Sequence, residues 1–273
     1  MITWIYQKHL KRKYIGVIFC AVVISVVMYV IFRFGGEDFD FIETVNKDAI
    51  SANVLILSKT EKSDSISYSA GLSGVIFRKD SENYYVLTAL HGIPLDSELN
   101  DTKLIVLGYD QPTYGEADVN IDLTAYYSQF PEAILEYYDD AYDLAVVSFV
   151  SDKEYTVLSV ASRPPEYNQP VAAIGNPHGN SRNTVTTGKI TSRKPVPFGD
   201  KAGANQHNIV EHSAKTSVGS SGGALLNKDL EIVGIHLGGG ENIFHRYING
   251  KAMPCDRILD FLSGMDTSKD FKD

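Results

Sequence analysis

Cysteine and tryptophan are scarce in this sequence. Among 273 residues there are only two cysteines, Cys20 and Cys255, and one tryptophan. Two cysteines exclude a disulfide-rich framework, and no Cys/His cluster has the ligand spacing of a zinc site. Cys20 lies in a long apolar segment, so the rest of the chain cannot form an internal disulfide. This is compatible with an exported bacterial domain and unlike secreted animal domains, which are usually rich in disulfides.

Basic residues are outnumbered as well. The chain has 25 Lys and Arg against 34 Asp and Glu, a net charge of −9. A nucleic-acid-binding protein needs a basic face to neutralise phosphates, so no nucleic-acid partner is expected. Residues 1–35 hold five basic residues and no acidic one, and removing those five charges from −9 leaves −14 on the remainder. The chain therefore has a short basic head and a strongly acidic body.

The head contains one long uncharged segment, the 19 residues from Tyr14 to Phe32. At helical rise it spans about 28 Å, the thickness of a bilayer core. Basic residues precede it and acidic residues follow it, which predicts a cytoplasmic N-terminus and a periplasmic or extracellular body. A cleaved signal peptide is the alternative, although no small-x-small cleavage site follows. We predict a cytoplasmic tail at 1–13, a transmembrane helix at 14–33 and a tether at 34–47.

The body reads as short strands. Its composition, 44% hydrophobic and 22% charged overall, excludes collagen-like and disordered chains. Short runs rich in β-branched and aromatic residues, bounded by turn residues, are typical of strands. Evenly spaced strands of this kind imply a sandwich or barrels. A first series covers 52–57, 74–77, 84–88, 103–107 and 144–149, and a second covers 171–174, 183–190, 224–226 and 232–235.

The segments between and after these strands have other signatures. Residues 151–169 contain a Pro-Pro pair and are the candidate linker between the two series. Helical spacing is confined to 255–262, where three aliphatic side chains share a face. Asn227–Asp229 is typical of a hairpin turn. We interpret 58–69 and 195–206 as loops and 263–273 as a polar tail.

Three short segments could carry chemistry. Gly219–Gly223 reads Gly-Ser-Ser-Gly-Gly, and flanking glycines let a loop expose a hydroxyl and converge its backbone N–H groups on one point. His91 ends an apolar strand, and Asp143 immediately precedes another. Taken singly, these features are also typical of a surface loop, a structural histidine and a strand cap. Together they supply a nucleophile, a base and an acid that orients the base.

In the order His91, Asp143, Ser221, these segments resemble the motifs of trypsin-like serine proteases. Thr88–His91 is similar to the family's Thr-Ala-Ala-His, the segment beginning at Asp143 to its Asp-Leu-Ala-Leu/Val, and Gly219–Gly223 to its Gly-x-Ser-Gly-Gly. The resemblance covers about residues 48–262. It implies an all-β, chymotrypsin-like fold of two six-stranded antiparallel barrels, at 48–155 and 165–262, with a C-terminal helix.

The resemblance also implies an activity and its residues. A membrane-anchored serine endopeptidase would use Ser221 as nucleophile, His91 as base and Asp143 to orient His91. The backbone N–H groups of Gly219 and Ser221 would form the oxyanion hole. Protein or peptide substrates are implied, and no metal or organic cofactor. A non-catalytic or latent module that binds a peptide or partner protein is the alternative, and the oligomeric state stays open.

Within the family, the chain is most similar to bacterial HtrA-like proteases. Ala173–Gly179 resembles their Ala-Ile-Gly-Asn-Pro-x-Gly, and Thr184–Ser192 their Ser-Val-Thr-x-Gly-Ile-Val-Ser. Ala224 stands where those enzymes usually have proline. We expect no PDZ domain, because few residues follow the predicted helix.

The strand that should wall the primary specificity pocket, Ile232–Gly239, contains His236. Glutamyl endopeptidases of the same fold have Gly-Ile-His-x-Gly-Gly there and a threonine five residues before the nucleophile, which is Thr216 here. Lys215 would lie near the pocket floor. These three side chains predict cleavage after Glu, or after Asp. The alternative is a structural His236 and a surface Lys215. The remaining histidines are expected at the surface: His9, His178, His207, His212 and His245.

Overall fold

The computed structural model describes residues 25, 38–62, 65–69, 71–95, 102–177, 182–197, 208–241 and 247–269. The chain divides into two compact units, residues 1–43 and 44–273. A helix, α1, covers residues 38–48, which includes most of the predicted tether. Apart from Ser25, the predicted tail at 1–13 and transmembrane helix at 14–33 lie outside the described residues. Among the described residues, no helix is long and apolar enough to span a membrane.

The first half of the body forms one antiparallel sheet of seven strands, in the order β2-β1-β3-β4-β7-β6-β5. Its edges join, because β5 pairs with β6 on one side and with β1 on the other. Six strands therefore make a closed barrel, and β2 extends β1 as a hairpin. The strands are β1 (Asn53–Lys62), β2 (Ser65–Tyr68), β3 (Leu72–Asp80), β4 (Asn83–Ala89), β5 (Thr102–Leu107), β6 (Glu132–Asp139) and β7 (Leu144–Val150).

The beginning of β1 is buried at every position instead of at alternate ones. Its outward face is covered, because Leu55 and Leu57 cluster with Tyr126 and Tyr127 of the short helix α2 (Leu123–Tyr127). Asp122 caps that helix by accepting two backbone N–H groups. Burying each leucine contributes about 2 kcal/mol, so the cover stabilises the barrel from outside.

The second half forms another antiparallel sheet of seven strands, in the order β10-β11-β14-β13-β12-β8-β9. A single bridge between Ile190 and His212 joins the end of β9 to β11. The predicted second six-stranded barrel is therefore not confirmed, because in the described part of the chain only this bridge pairs the end of β9 with β11. The strands are β8 (Pro170–Gly175), β9 (Thr184–Lys189), β10 (Val196–Pro197), β11 (Asn208–His212), β12 (Ala224–Leu226), β13 (Ile232–Glu241) and β14 (Tyr247–Pro254).

The body ends in helix α3, Cys255–Lys269. It packs on the first sheet through the buried Phe261, whose ring centroid lies 5.0 Å from that of Tyr137 on β6. The helix runs seven residues beyond the expected 255–262. Met265 is buried in that extension, so packing stabilises a segment that reads as a polar tail in the sequence.

All nine predicted strands are present, with boundaries that differ by a few residues at some ends. The hairpin turn at Asn227 is confirmed, since its side-chain oxygen accepts the N–H groups of Asp229 and Glu231. The loop prediction for 58–69 is wrong, because β1 and β2 pair there. Polar and half-exposed strands were missed because they lack an apolar alternation: β2, β6, β10, β11 and β14.

Candidate active site

The register of the first barrel brings His91 and Asp143 together. Ala89 at the end of β4 lies opposite Leu144 at the start of β7, so the residues just beyond them leave the sheet side by side. After β4 the chain makes a 3-10 turn, Leu90–Gly92, and the N–H of Leu90 donates to the carbonyl of Asp143 at 3.0 Å. The strand ladder therefore positions both side chains.

Asp143 contacts His91 through both carboxylate oxygens. Oδ2 lies 2.7 Å from Nδ1 of His91, and Oδ1 accepts the backbone N–H of His91 at 2.8 Å. Asp143 has φ +52°, a left-handed conformation that aspartate tolerates better than most residues. Its side chain is 15% exposed, against 45% for His91. A largely buried carboxylate thus orients a more accessible imidazole.

This pairing changes the acidity of the imidazole. The hydrogen bond to Asp143 and the negative charge of Asp143 raise the pKa of His91 above its ordinary value of 6.5, against the opposing effect of burial. The carboxylate therefore favours the protonated imidazole. In the neutral form, a proton held on Nδ1 by Asp143 leaves the lone pair on Nε2. His91 is thus arranged as a proton acceptor at Nε2.

The loop before β12 holds the predicted nucleophile and depends on two glycines in left-handed conformations. Gly219 has φ +94° and Gly222 has φ +84°. A Cβ at Gly222 would lie 2.1 Å from the carbonyl oxygen of Ser73 and 2.3 Å from Oγ1 of Thr88. Only glycine fits this close approach between the loop and the first sheet.

The two serines of this loop face different surroundings. Ser220 is buried, and its hydroxyl accepts the N–H of Ser217 at 3.3 Å. Ser221 lines a cavity that also contacts His91, and its hydroxyl donates to the carbonyl of Leu237 at 3.4 Å. Within the described part of the chain no hydrogen bond joins Ser221 to His91. The structure thus exposes Ser221 to the cavity, the serine that the motif indicates.

The backbone beside Ser221 has unused donors. The N–H groups of Gly219 and Ser221 donate to no backbone or side-chain acceptor in the described ranges. Both residues line the cavity. Two unpaired N–H groups next to a serine hydroxyl are what an oxyanion hole requires.

The cavity, of about 760 Å³, contains most of the predicted site residues. His91 lines it together with the loop and with Thr216, His236 and Tyr247. Lys215 does not line this cavity. It is exposed and lines a separate depression beside β8 and β9.

Tyr247 was missed in the sequence because its strand, β14, was missed. Its hydroxyl donates to the carbonyl of Ala214 at 2.6 Å and lies 3.3 Å from Oγ1 of Thr216.

His212, predicted at the surface, is fully buried behind His236. Its Nε2 lies 3.3 Å from Nδ1 of His236, which is also buried. Burial lowers the pKa of His212 to about 4 and that of His236 to about 3, with a smaller contribution to the latter from His212 and His91. Both rings are therefore neutral at pH 7. The five residues of β11 give no apolar alternation that could have revealed this burial.

The other predicted surface histidines, His9, His178, His207 and His245, lie outside the described residues. Over the described ranges, no group of three or more His, Cys, Asp or Glu side chains could hold a metal ion. That the chain works without a cofactor stays a prediction.

Comparison with known proteins identifies the fold family. A family model described as a trypsin-like peptidase domain matches residues 72–235. The chain is 29% identical over 210 residues to the serine protease Do-like HtrA of Lactococcus lactis subsp. cremoris and 32% identical over 163 residues to the serine endoprotease DegS of Haemophilus influenzae. It is 28% identical over 193 residues to the serine protease Do-like HtrA of Bacillus subtilis.

These alignments cover 73%, 60% and 70% of this chain. They cover 42%, 40% and 38% of the three relatives, so the chain spans less than half the length of each. The family model alone covers more than half of the chain and contains five of the six barrel strands, His91, Asp143 and the loop that carries Ser221. The chain therefore belongs to the trypsin-like peptidase family and is related to the HtrA-type serine proteases.

Proposed function

We propose that the chain is a serine endopeptidase that hydrolyses peptide bonds in protein or peptide substrates. The observation that carries this proposal is the Asp143–His91 pair, joined by two hydrogen bonds. His91 of this pair lines the same cavity as Ser221 and the two unpaired backbone N–H groups. The related proteins named as serine proteases support the same reaction.

In the proposed acylation step, His91 Nε2 accepts the proton of the Ser221 hydroxyl as Oγ attacks the scissile carbonyl carbon. The 3.4 Å hydrogen bond from Ser221 to Leu237 is long and weak, so rotation about the serine Cα–Cβ bond can redirect Oγ toward His91. The N–H groups of Gly219 and Ser221 then stabilise the negative charge on the carbonyl oxygen.

Acylation is completed when the C–N bond of the tetrahedral intermediate breaks and His91 gives its proton to the leaving amine, which leaves the acyl group on Ser221. Water then enters, loses a proton to His91 and attacks the acyl-enzyme, and the Ser221 hydroxyl is regenerated as the acid product leaves. Asp143 stabilises the imidazolium in both steps without taking the proton itself.

We further propose a preference for Glu, or Asp, on the N-terminal side of the cleaved bond. The specificity end of the cavity offers Thr216 and Tyr247 hydroxyls and the His236 ring. The Thr216 hydroxyl and the His236 ring can donate hydrogen bonds to a carboxylate without contributing a fixed charge. The Tyr247 hydroxyl already donates to the carbonyl of Ala214 and lies beside Thr216. The position of Lys215 outside this cavity removes the ammonium from the proposal.

His212 supports the donor role of His236. In the described structure, His212 Nδ1 has no hydrogen-bond partner, and an unpaired buried N–H is rarer than an unpaired buried acceptor. The proposed donor role requires the proton of His212 on Nε2, directed at Nδ1 of His236. His236 then carries its own proton on Nε2, where it can donate to a substrate carboxylate.

The location of the enzyme is a separate proposal. Residues 14–33 would anchor the chain in the membrane as a single helix, with the basic tail 1–13 in the cytoplasm and the protease domain periplasmic or extracellular. The support is the uncharged segment Tyr14–Phe32 and the asymmetry of charge around it.

Ser221→Ala should abolish both peptide hydrolysis and covalent labelling by a fluorophosphonate probe, because it removes the proposed nucleophile beside the unpaired N–H groups of Gly219 and Ser221. Ser220→Ala should retain most of both, since its hydroxyl is turned into the loop. Labelling of wild-type protein should disappear after heat denaturation. Absence of labelling in the folded wild type would favour the non-catalytic peptide-binding module, and loss only in Ser220→Ala would show that the nucleophile is Ser220.

The pH profile should report the Asp143–His91 pair. The base must be neutral, so kcat/KM should rise with pH through the raised pKa of His91 and reach half its plateau above pH 6.5. Asp143→Asn should move that midpoint to lower pH and reduce the plateau by about 10⁴-fold. Asp140→Asn, three residues away, is the matched control and should keep the wild-type midpoint. NMR titration in the Ser221→Ala background should give a higher pKa for His91 when Asp143 is present than in Asp143→Asn. The same pKa of His91 in both proteins would contradict the pairing.

The residue preference can be measured with fluorogenic peptides that differ only at the position before the cleaved bond. Glu should be cleaved at least about tenfold faster than Gln, the factor for one charge-assisted hydrogen bond of about 1.5 kcal/mol. His236→Ala should bring the Glu:Gln ratio close to one, whereas Lys215→Ala should leave the ratio unchanged. Equal or faster cleavage after Ala, Val or Leu would refute the preference.

Membrane orientation can be tested by adding protease to spheroplasts. The body should be digested from outside, while a peptide tag fused before residue 1 should survive until the cells are lysed. Protection of the body in intact spheroplasts would place the protease domain in the cytoplasm and overturn the proposed orientation.

A further inference from the structure

We propose that Ser73 is a positioning residue that holds the oxyanion-binding loop in its competent geometry. The inference rests on the proposed serine-protease function and adds to it a residue on the opposite sheet. Ser73 is the second residue of β3 in the first barrel and is fully buried. The loop it contacts, residues 217–223, belongs to the second sheet.

Ser73 binds this loop at two points. Its backbone N–H donates to the carbonyl of Ser221 at 2.8 Å, and its hydroxyl donates to the carbonyl of Gly219 at 2.8 Å. The same hydroxyl accepts the backbone N–H of Asn176, just after β8, at 2.8 Å. The Ser73 hydroxyl is therefore both a donor and an acceptor. It donates to the backbone of the loop at Gly219 and accepts from the backbone of Asn176, beside β8.

The carbonyl of Gly219 lies between the two proposed oxyanion donors along the chain. The peptide that carries the Ser221 N–H is already fixed, because its carbonyl, that of Ser220, accepts the N–H of Gly223 at 3.0 Å. In the described structure no backbone hydrogen bond holds the peptide that carries the Gly219 N–H. Its direction depends on the following peptide, which is held on both sides: the N–H of Ser220 donates to the carbonyl of Ser217 at 2.9 Å, and the carbonyl of Gly219 accepts the Ser73 hydroxyl. Ser73 provides the anchor on the carbonyl side.

Residues 217–223 contain no charged side chain. Neutral hydrogen bonds must therefore position the loop, and loss of one is not compensated by an ion pair formed by the loop itself. Gly219 has a positive φ and no side chain, so once its carbonyl is released only one hydrogen bond of the described structure, from the Ser220 N–H to the Ser217 carbonyl, restrains this peptide. Loss of the Ser73 hydroxyl should thus affect the Gly219 donor most.

The test is steady-state kinetics of Ser73→Ala with a peptide substrate and a peptide aldehyde inhibitor that forms an oxyanion at Ser221. We expect kcat to fall about tenfold with KM changed less than twofold, and inhibitor affinity to fall by the same factor; a tenfold loss corresponds to about 1.4 kcal/mol. Ser73→Cys, whose thiol is a weaker donor, should give an intermediate loss. This graded order keeps the test valid if Ser73→Ala folds poorly.

Ser148→Ala is the matched control, because Ser148 is also buried in the first barrel and its hydroxyl donates to a carboxylate oxygen of Glu136 at 2.6 Å. It should keep kcat within twofold of wild type. The NMR pKa of His91 should be unchanged in Ser73→Ala. Unchanged kcat and inhibitor affinity in Ser73→Ala would overturn the proposal. A rise in KM as large as the fall in kcat, together with a lowered pKa of His91, would also overturn it, because these changes indicate general disruption of the site.

Hydrogen exchange of the peptide containing residues 217–223 gives a readout that does not need activity. Exchange there should accelerate in Ser73→Ala and not in Ser148→Ala. If the wild-type chain neither hydrolyses peptides nor reacts with a fluorophosphonate, the proposed function fails, while accelerated exchange still supports the anchor. Unchanged exchange overturns the Ser73 proposal whatever the activity.

Discussion

The geometry of the site depends on close backbone contact between the two sheets at the base of the serine loop. The first sheet carries His91 and Asp143, and the second carries Ser221. Their relative position is set where the N–H of Ser73 meets the carbonyl of Ser221 and where Gly222 lies against β3 and β4. Because these are backbone contacts at hydrogen-bond distance, a displacement of either sheet by about 1 Å would break them and separate the serine from its base.

The same contact region is reinforced by a buried amide. Asn176 follows β8 in the second sheet, and its side chain donates to the carbonyl of Val54 at 2.9 Å in the first barrel. It also exchanges hydrogen bonds with Asn53. Buried amides of this kind are costly when unpaired, so they favour one relative arrangement of the two sheets over others that would bury similar apolar area. The polar contact region therefore supplies specificity while the two apolar cores supply most of the stability.

Three histidines around one cavity illustrate how the environment decides the chemistry of a residue type. His91 has an anionic partner at 2.7 Å, and its pKa rises. His212 and His236 are buried and have no such anionic partner among the described residues, so the pKa of each falls. One imidazole can thus exchange protons near neutral pH while the other two remain neutral hydrogen-bonding groups. The carboxylate beside His91 and the burial of the other two rings separate proposed catalysis from proposed substrate recognition.

Much of the candidate site could be predicted because each motif is local. A histidine after an apolar strand, an aspartate before another and a serine among glycines are visible within a few residues, and their order along the chain points to one family. The nine apolar strands were visible for the same reason. Lys215 was misplaced relative to the pocket, and His212, Tyr247 and Ser73 were not identified, because their roles depend on which distant strands lie beside them.

The sequence by itself determined where nine strands follow one another along the chain, which residue types are available for catalysis and how charge is distributed around the predicted anchor. These follow from local periodicity, turn residues and composition. Only the tertiary structure decided which serine faces the cavity, which N–H groups remain unpaired and which histidine lies behind His236. Those properties arise from strand register and from contacts between residues far apart in the chain, from 24 positions for His212 and His236 to 146 for Ser73 and Gly219. Contacts at such separations leave no periodic signal in the sequence.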